Sequence, residues 1–146
     1  MCDALVDRWG LVPVLAGGSS ERELATEREI VARARHRPRS TLGVPLRDLV
    51  MLLDASDIVL SLDTGPLHMA VALDRPVVSL MGYNNPKRVG PYRRFHDLIV
   101  DAYGNPGEVY PLSMETRLDR MPRITVPDVM AKVAVWRDRY ADRDRA

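Results

Sequence analysis

Apolar positions along this chain fall into short continuous runs separated by stretches with helical spacing. Ala4, Leu5 and Trp9 share one helical face and Gly10 stands where a helix would stop, so Met1 to Gly10 reads as the end of a helix. The run Leu11-Val12-Pro13-Val14-Leu15-Ala16 ends at Gly17-Gly18 and predicts a buried strand. Ser19 or Ser20 can cap the next helix, with Glu21 and Glu23 in its first turn, where the helix dipole favours negative charge. That helix is expected to run to about Arg35. Pro38 breaks the polar stretch His36 to Ser40, and Thr41 to Val44 predicts a short strand. Pro45 fits the first turn of a helix through Leu46, Leu49, Val50 and Leu53.

Asp57 to Asp63 and Pro76 to Gly82 predict two stronger strands. The first does not alternate cleanly, as expected for a strand covered on both faces. Between them, Asp63-Thr64-Gly65-Pro66 turns into a helix over Leu67 to Leu73. Tyr83 to Tyr92 predicts a loop, His96 to Val100 a last strand, and residues 103–125 show little periodicity. A closing helix is expected over 126–142, followed by a frayed charged tail. Strands alternating with helices every ~20 residues predict an α/β fold, an open and mostly parallel sheet with helices on both faces. The expected layout is a single domain over 1–146, with a sheet core over 11–102.

Composition narrows the function classes. The formal net charge of +1 gives no general attraction to nucleic acid or to an anionic surface. The run Arg33, Arg35, His36, Arg37, Arg39 has no interleaved aromatic residue and reads as a solvated helix end. The single cysteine, Cys2, excludes an internal disulfide and fits a reducing compartment. No apolar run approaches the ~20 residues that span a bilayer, and no signal pattern opens the chain, so a soluble cytoplasmic protein is expected. No Cys/His spacing points to zinc and no phosphate-binding Gly-Lys motif is present, so no metal and no cofactor are expected.

The most informative stretch is Ser61-Leu62-Asp63-Thr64-Gly65-Pro66-Leu67-His68-Met69-Ala70. A buried strand delivers the chain to the carboxyl edge of the sheet, where open α/β folds bind ligands. Gly65 removes side-chain bulk, so a ligand can approach the backbone. Pro66 suits the first helical position, and the amides of Gly65, Leu67 and His68 can then face an anion such as phosphate. Asp63 and Thr64 add an acceptor and a hydroxyl. The same residues also suit a plain helix cap that binds nothing. His68 suits a structural hydrogen bond, a phosphate contact or, least of all, a base. Gly17-Gly18-Ser19-Ser20-Glu21 is a second strand-to-helix turn, where Glu21 can accept from ribose hydroxyls or serve as an acid matched to the dipole. The loop Gly82 to Tyr92 offers Lys87 and Arg88, either to a phosphate or to solvent.

Together these residues resemble the heptosyltransferase family of lipopolysaccharide core assembly, glycosyltransferase family 9. The resemblance rests on Leu15-Ala16-Gly17-Gly18-Ser19-Ser20-Glu21, Val44-Pro45-Leu46-Arg47-Asp48-Leu49, Asp63 to Ala70, Arg75-Pro76 and Gly82…Gly90-Pro91-Tyr92. It covers roughly Leu11 to Tyr92. It implies the second of two Rossmann-like domains in the two-domain GT-B architecture, a single nucleotide-sugar-binding domain whose amino-terminal acceptor domain is absent here. By the resemblance, Thr64, Gly65, Pro66, Leu67 and His68 hold the diphosphate of ADP-heptose or a similar donor, and Asp63 faces the donor sugar. Gly18 lies in the donor-binding turn, Glu21 binds the ribose, and Val44, Pro45 and Leu46 sit near the adenine. The leaving diphosphate needs charge stabilisation, which the helix terminus and Lys87 or Arg88 can supply.

The family's general base and most of its acceptor binding belong to the other domain, so no catalytic residue is expected in this chain. The implied partners are the nucleotide-sugar donor and an amino-terminal domain or separate chain. No nucleic acid is expected, and membrane contact is expected only through a lipopolysaccharide acceptor. A non-catalytic nucleotide-binding module and another GT-B enzyme, such as a sugar-nucleotide epimerase, fit the same residues.

Overall fold

The computed structural model describes residues 1–141. Most of the charged tail expected at the carboxy terminus, residues 142–146, lies outside the described residues. The chain divides into two compact units, Met1–Leu49 and Val50–Ala146.

The first unit opens with helix α1, Cys2–Trp9, which Gly10 ends in the left-handed region at φ 65. Strand β1 is Val14–Leu15, helix α2 is Glu21–Arg33 and strand β2 is Arg39–Ser40; helix α3, Leu46–Asp54, begins in this unit. β1 and β2 form a parallel pair, with Val14 opposite Arg39 and Leu15 opposite Ser40. The expected buried strand over Leu11–Ala16 is therefore shorter and more open than its composition suggests. Only Val14 and Leu15 carry strand geometry, and Val12 is 66% exposed. Within this unit the run pairs along one edge alone, so hydrophobicity is not matched by burial. The expected strand at Thr41–Val44 is likewise displaced to Arg39–Ser40. Gly43 sits at φ 74, a left-handed conformation that no strand can hold, and its amide returns to the Gly17 carbonyl at 2.9 Å.

The second unit is built on a three-stranded sheet in the order β3-β4-β5, with β3 at Val59–Leu62, β4 at Val77–Met81 and β5 at Ile99–Asp101. Both pairings are parallel, Ser61 opposite Ser79 and Leu80 opposite Val100. All three strands therefore end at the same edge. In β4, Val77, Val78, Ser79 and Met81 are buried, so successive side chains on both faces are covered. Helix α4, Gly65–Ala72, packs against β3 and β4, and helix α6, Val126–Arg139, packs against β4 and β5. Val129, Met130, Val133 and Trp136 form the buried stripe of α6 at helical spacing. Thr125 caps α6 in a reciprocal box with Asp128.

The loop expected over Tyr83–Tyr92 contains a one-turn helix, α5, Pro86–Val89. The strand expected from His96 starts later. Phe95 takes φ 63 with its ring buried, His96–Leu98 form a tight 3-10 turn, and only then does β5 begin. The Asp97 carbonyl accepts from Lys132 at 2.8 Å and its carboxylate from Arg139 at 2.8 Å, so α6 holds that turn in place.

Candidate functional site

In the second unit the chain leaves β3 at the carboxyl edge and enters α4 almost at once. Proline at the start of a helix costs nothing, because the first amides have no carbonyl to reach. Thr64 occupies the N-cap position with extended backbone angles, yet no side chain caps this helix. The Thr64 hydroxyl turns back to the Leu62 carbonyl at 3.4 Å and the Ser61 hydroxyl at 3.3 Å. The helix-cap alternative is thus not realised by a side chain here. Gly65 is exposed, and an added Cβ would meet only the Met69 methyl at 3.7 Å. One expectation needs correction: the Leu67 amide donates to the Thr64 carbonyl at 3.1 Å and so does not face an anion. Its side chain is fully buried at 0% exposure, a contribution of about 1.5–3 kcal/mol to anchoring the helix start. The amide of Gly65 remains the candidate for anion contact.

Asp63 lies between β3 and α4, with its side chain 16% exposed. Its Oδ2 accepts from the Asn84 amide at 2.6 Å, and His68 Nε2 stands 3.5 Å from Oδ1. Arg88 reaches the Asn84 carbonyl oxygen at 3.4 Å. A chain of polar groups, Arg88-Asn84-Asp63-His68, therefore borders the start of α4. Lys87 is already engaged: its ammonium donates to the Tyr110 carbonyl at 2.6 Å and lies 4.8 Å from the Tyr110 ring centre. That engagement puts Tyr110 beside a charge that the sequence assigned to a phosphate or to solvent. Arg88, exposed and held by one long hydrogen bond, is the more available of the pair.

In the first unit, the Gly17–Ser20 turn closes on Glu23. Gly18 donates its amide to Glu23 at 2.8 Å, and Ser20 and Glu23 cap α2 reciprocally. The Ser20 hydroxyl, and then the Gly18 amide, hold the Glu23 carboxyl below the usual carboxylate range. Here the helix-cap alternative is realised, and Gly18 has spent its donor. Glu21 forms an exposed ion pair with Arg28 at 2.7 Å. Pro45 and Leu46 are exposed, Leu46 at 62%, and Val44 is half-buried. Gly43 brings that segment against Ser19, whose Cβ an added side chain would approach to 3.1 Å.

Asn84 and the segment behind it carry no signal in the sequence. Asn84 pairs through its backbone with Thr116, and the Arg117 amide donates to the Tyr83 carbonyl at 2.9 Å. Buried Asn85 donates to the Pro111 carbonyl at 2.8 Å. Arg117 donates through both terminal nitrogens to Glu108, at 2.9 and 3.1 Å, and lies over the Tyr103 ring at 4.4 Å. At the end of β5, the Asp101 carboxylate accepts from the Tyr103 amide at 3.0 Å and from the Tyr110 hydroxyl, while burial pushes that hydroxyl well above its ordinary value. The stretch without periodicity is thus tied down largely by polar groups, with a short 3-10 helix at Met121–Arg123 and a single bridge at Thr116.

The Arg117 guanidinium, followed by the Asn105 amide, holds the Glu108 carboxyl down to about 2 from 4.5. A depressed carboxyl stabilises the fold above its unfolded value, and that contribution is lost as pH falls through the folded value. Glu108→Gln is therefore expected to be less stable than wild type at neutral pH, with the gap closing between about 4.5 and about 2. Thermal midpoints measured across that range check this; a gap independent of pH would rule out the pair as its source.

Among the described residues, no group of His, Cys, Asp and Glu is placed to hold a metal ion, and no helix is long and apolar enough to cross a membrane.

The chain is 34% identical over 91 residues to the lipopolysaccharide core heptosyltransferase OpsX of Haemophilus influenzae, a match that covers 62% of this chain and 26% of that protein. Its fold matches the crystal structure of the glycosyl transferase family 9 protein from Veillonella parvula with a TM-score of 0.74 at 20% identity, over 92% of this chain and 38% of that one. The chain spans about a quarter of the curated relative's length. The family model of glycosyltransferase family 9 (heptosyltransferase) matches residues 5–113, well over half of the sequence, and on this match the chain belongs to glycosyltransferase family 9.

Proposed function

We propose that the edge formed by Asp63, Thr64, Gly65, Pro66 and His68 holds the diphosphate and sugar of a nucleotide-sugar donor. The chain then acts as the donor-binding part of a heptosyltransferase that delivers a sugar such as heptose from ADP to a lipopolysaccharide core acceptor. One observation carries this reading: α4 opens at the sheet's carboxyl edge with a glycine, a proline and no side-chain cap, beside an anchored carboxylate. Unpaired amides and the helix dipole favour a phosphate at such a terminus. The carboxylate suits sugar hydroxyls, which donate hydrogen bonds to it.

In glycosyl transfer, the bond from the anomeric carbon to the diphosphate oxygen breaks as the acceptor oxygen attacks, and negative charge builds on the leaving diphosphate. Amides held in place before the reaction stabilise that charge without reorganisation. Arg88, close to Asn84, is placed to add a cation. The acceptor hydroxyl must also lose its proton and be aligned with the anomeric carbon, an alignment that supplies much of the rate. By family resemblance that base and the acceptor site belong to the other domain, so these residues alone are expected to bind donor and give little or no transfer.

Calorimetric titration of the chain with ADP, ADP-heptose and UDP-sugars tests the reading. Binding of the adenine nucleotides is expected, with ADP-heptose affinity falling about tenfold in Asp63→Ala, the scale of a lost hydrogen bond to a charged group. Equal affinity of wild type and Asp63→Ala for ADP-heptose would count against the site.

A further inference from the structure

We infer that Asn84 is the positioning residue for the Asp63 carboxylate and thereby sets how tightly the donor's sugar is held. The inference rests on the donor-site reading above and goes beyond it, because Asn84 lies on a different loop and is identified only by what it touches.

Asp63 is mostly withdrawn from water. A carboxylate in that setting needs donors, and its plane is free to rotate unless one of its oxygens is anchored. The Asn84 amide supplies the anchor, at 2.6 Å from Oδ2. The assignment of the Asn84 amide group follows from chemistry: Arg88 has no acceptor and the carboxylate has no donor, so the carbonyl oxygen must face Arg88 and the nitrogen must face Asp63.

The choice of an amide has a consequence. A guanidinium at this place would engage both carboxylate oxygens in a fork and partly neutralise them. A neutral amide takes Oδ2 alone and leaves Oδ1, with His68 Nε2 3.5 Å away, able to accept from a sugar hydroxyl.

Asn84 is itself held from behind. Its backbone pairs with Thr116, its neighbour Tyr83 accepts from the Arg117 amide, and Asn85 is buried and bonded to the Pro111 carbonyl. The segment of residues 103–118 therefore serves to aim one side chain at the end of β3. The loop after β4 sets the carboxylate, and the helix after β3 sets the phosphate.

A double-mutant cycle on the full chain decides the matter. Wild type, Asn84→Ala, Asp63→Ala and the double variant are titrated with ADP and with ADP-heptose. Asn84→Ala is expected to lose about fivefold in ADP-heptose affinity, within the range for a hydrogen bond to a charged group, with ADP affinity unchanged. In the Asp63→Ala background the same substitution is expected to change nothing, because its effect runs through Asp63. A similar loss for ADP and ADP-heptose, or a loss that persists without Asp63, would overturn the inference by showing a structural or independent role. If wild type binds and Asp63→Ala weakens ADP-heptose while Asn84→Ala does not, the positioning role alone falls. If wild type binds neither nucleotide, the donor-site reading falls and takes this inference with it.

Discussion

Replacing Trp136 with alanine lowers the unfolding free energy by about 3–5 kcal/mol, the range for truncating a large buried aromatic side chain. The indole is 2% exposed on α6, which packs against β4, β5 and the turn at His96–Leu98. Its ring nitrogen is buried with no hydrogen-bond partner among the described residues, so the truncation breaks no polar contact there and leaves a cavity. The indole's burial stabilises the fold in spite of that unpaired donor, which means packing must outweigh a desolvation cost of about 1–3 kcal/mol. Urea unfolding followed by circular dichroism reads the change as a fall in midpoint with little change in slope. A loss below about 1 kcal/mol, ordinary for a surface position, would show that α6 does not seal this sheet.

Gly65→Val weakens binding of ADP about a hundredfold, close to 2.7 kcal/mol, while the fold survives. The fold survives because Gly65 does not occupy the left-handed region, and a Cβ there meets only the flexible Met69 methyl at 3.7 Å. Binding suffers because the branched side chain occupies the space through which a phosphate must approach the first amides of α4. Titration with ADP, alongside a thermal scan to confirm folding, measures both. Retained affinity in a folded Gly65→Val protein would place the diphosphate elsewhere.

The two strand-to-helix turns read much alike in the sequence and behave differently in the structure. Each has glycine, a hydroxyl residue and an acidic residue at a helix start. At α2, Glu23 lies three residues after Ser20, within reach of the cap, and the turn closes on itself. At α4, no acidic residue follows Thr64 at that spacing; Leu67 does, and the start stays without a side-chain cap. The spacing of Glu23 was in plain view, and it outweighs the glycines in deciding what the first turn does. Glu21, the more prominent acid, faces Arg28 across the surface instead.

Lys87 and Asn84 show a different limit. Both stand in the loop after β4, and composition makes the lysine the obvious candidate. The structure spends that charge on the Tyr110 carbonyl and ring and places the amide against Asp63. Neither outcome follows from local sequence, since the deciding partners lie on other segments, 23 and 21 residues away.

Local chemistry was enough for β3, β4, the starts of α2, α4 and α6, and the stop at Gly10. Unbroken apolar runs, capping residues, proline and glycine act through backbone sterics and hydrogen bonds that reach only a few residues. Family membership was legible for the same reason, because its motifs sit at those strand-to-helix turns. Tertiary structure alone decided that Leu11–Ala16 is more open than it is apolar, that residues 103–125 are ordered without periodicity, and that Asn84 holds Asp63. Those outcomes depend on which distant groups arrive to desolvate or pair with a side chain, and the order of residues along the chain does not reveal that arrival.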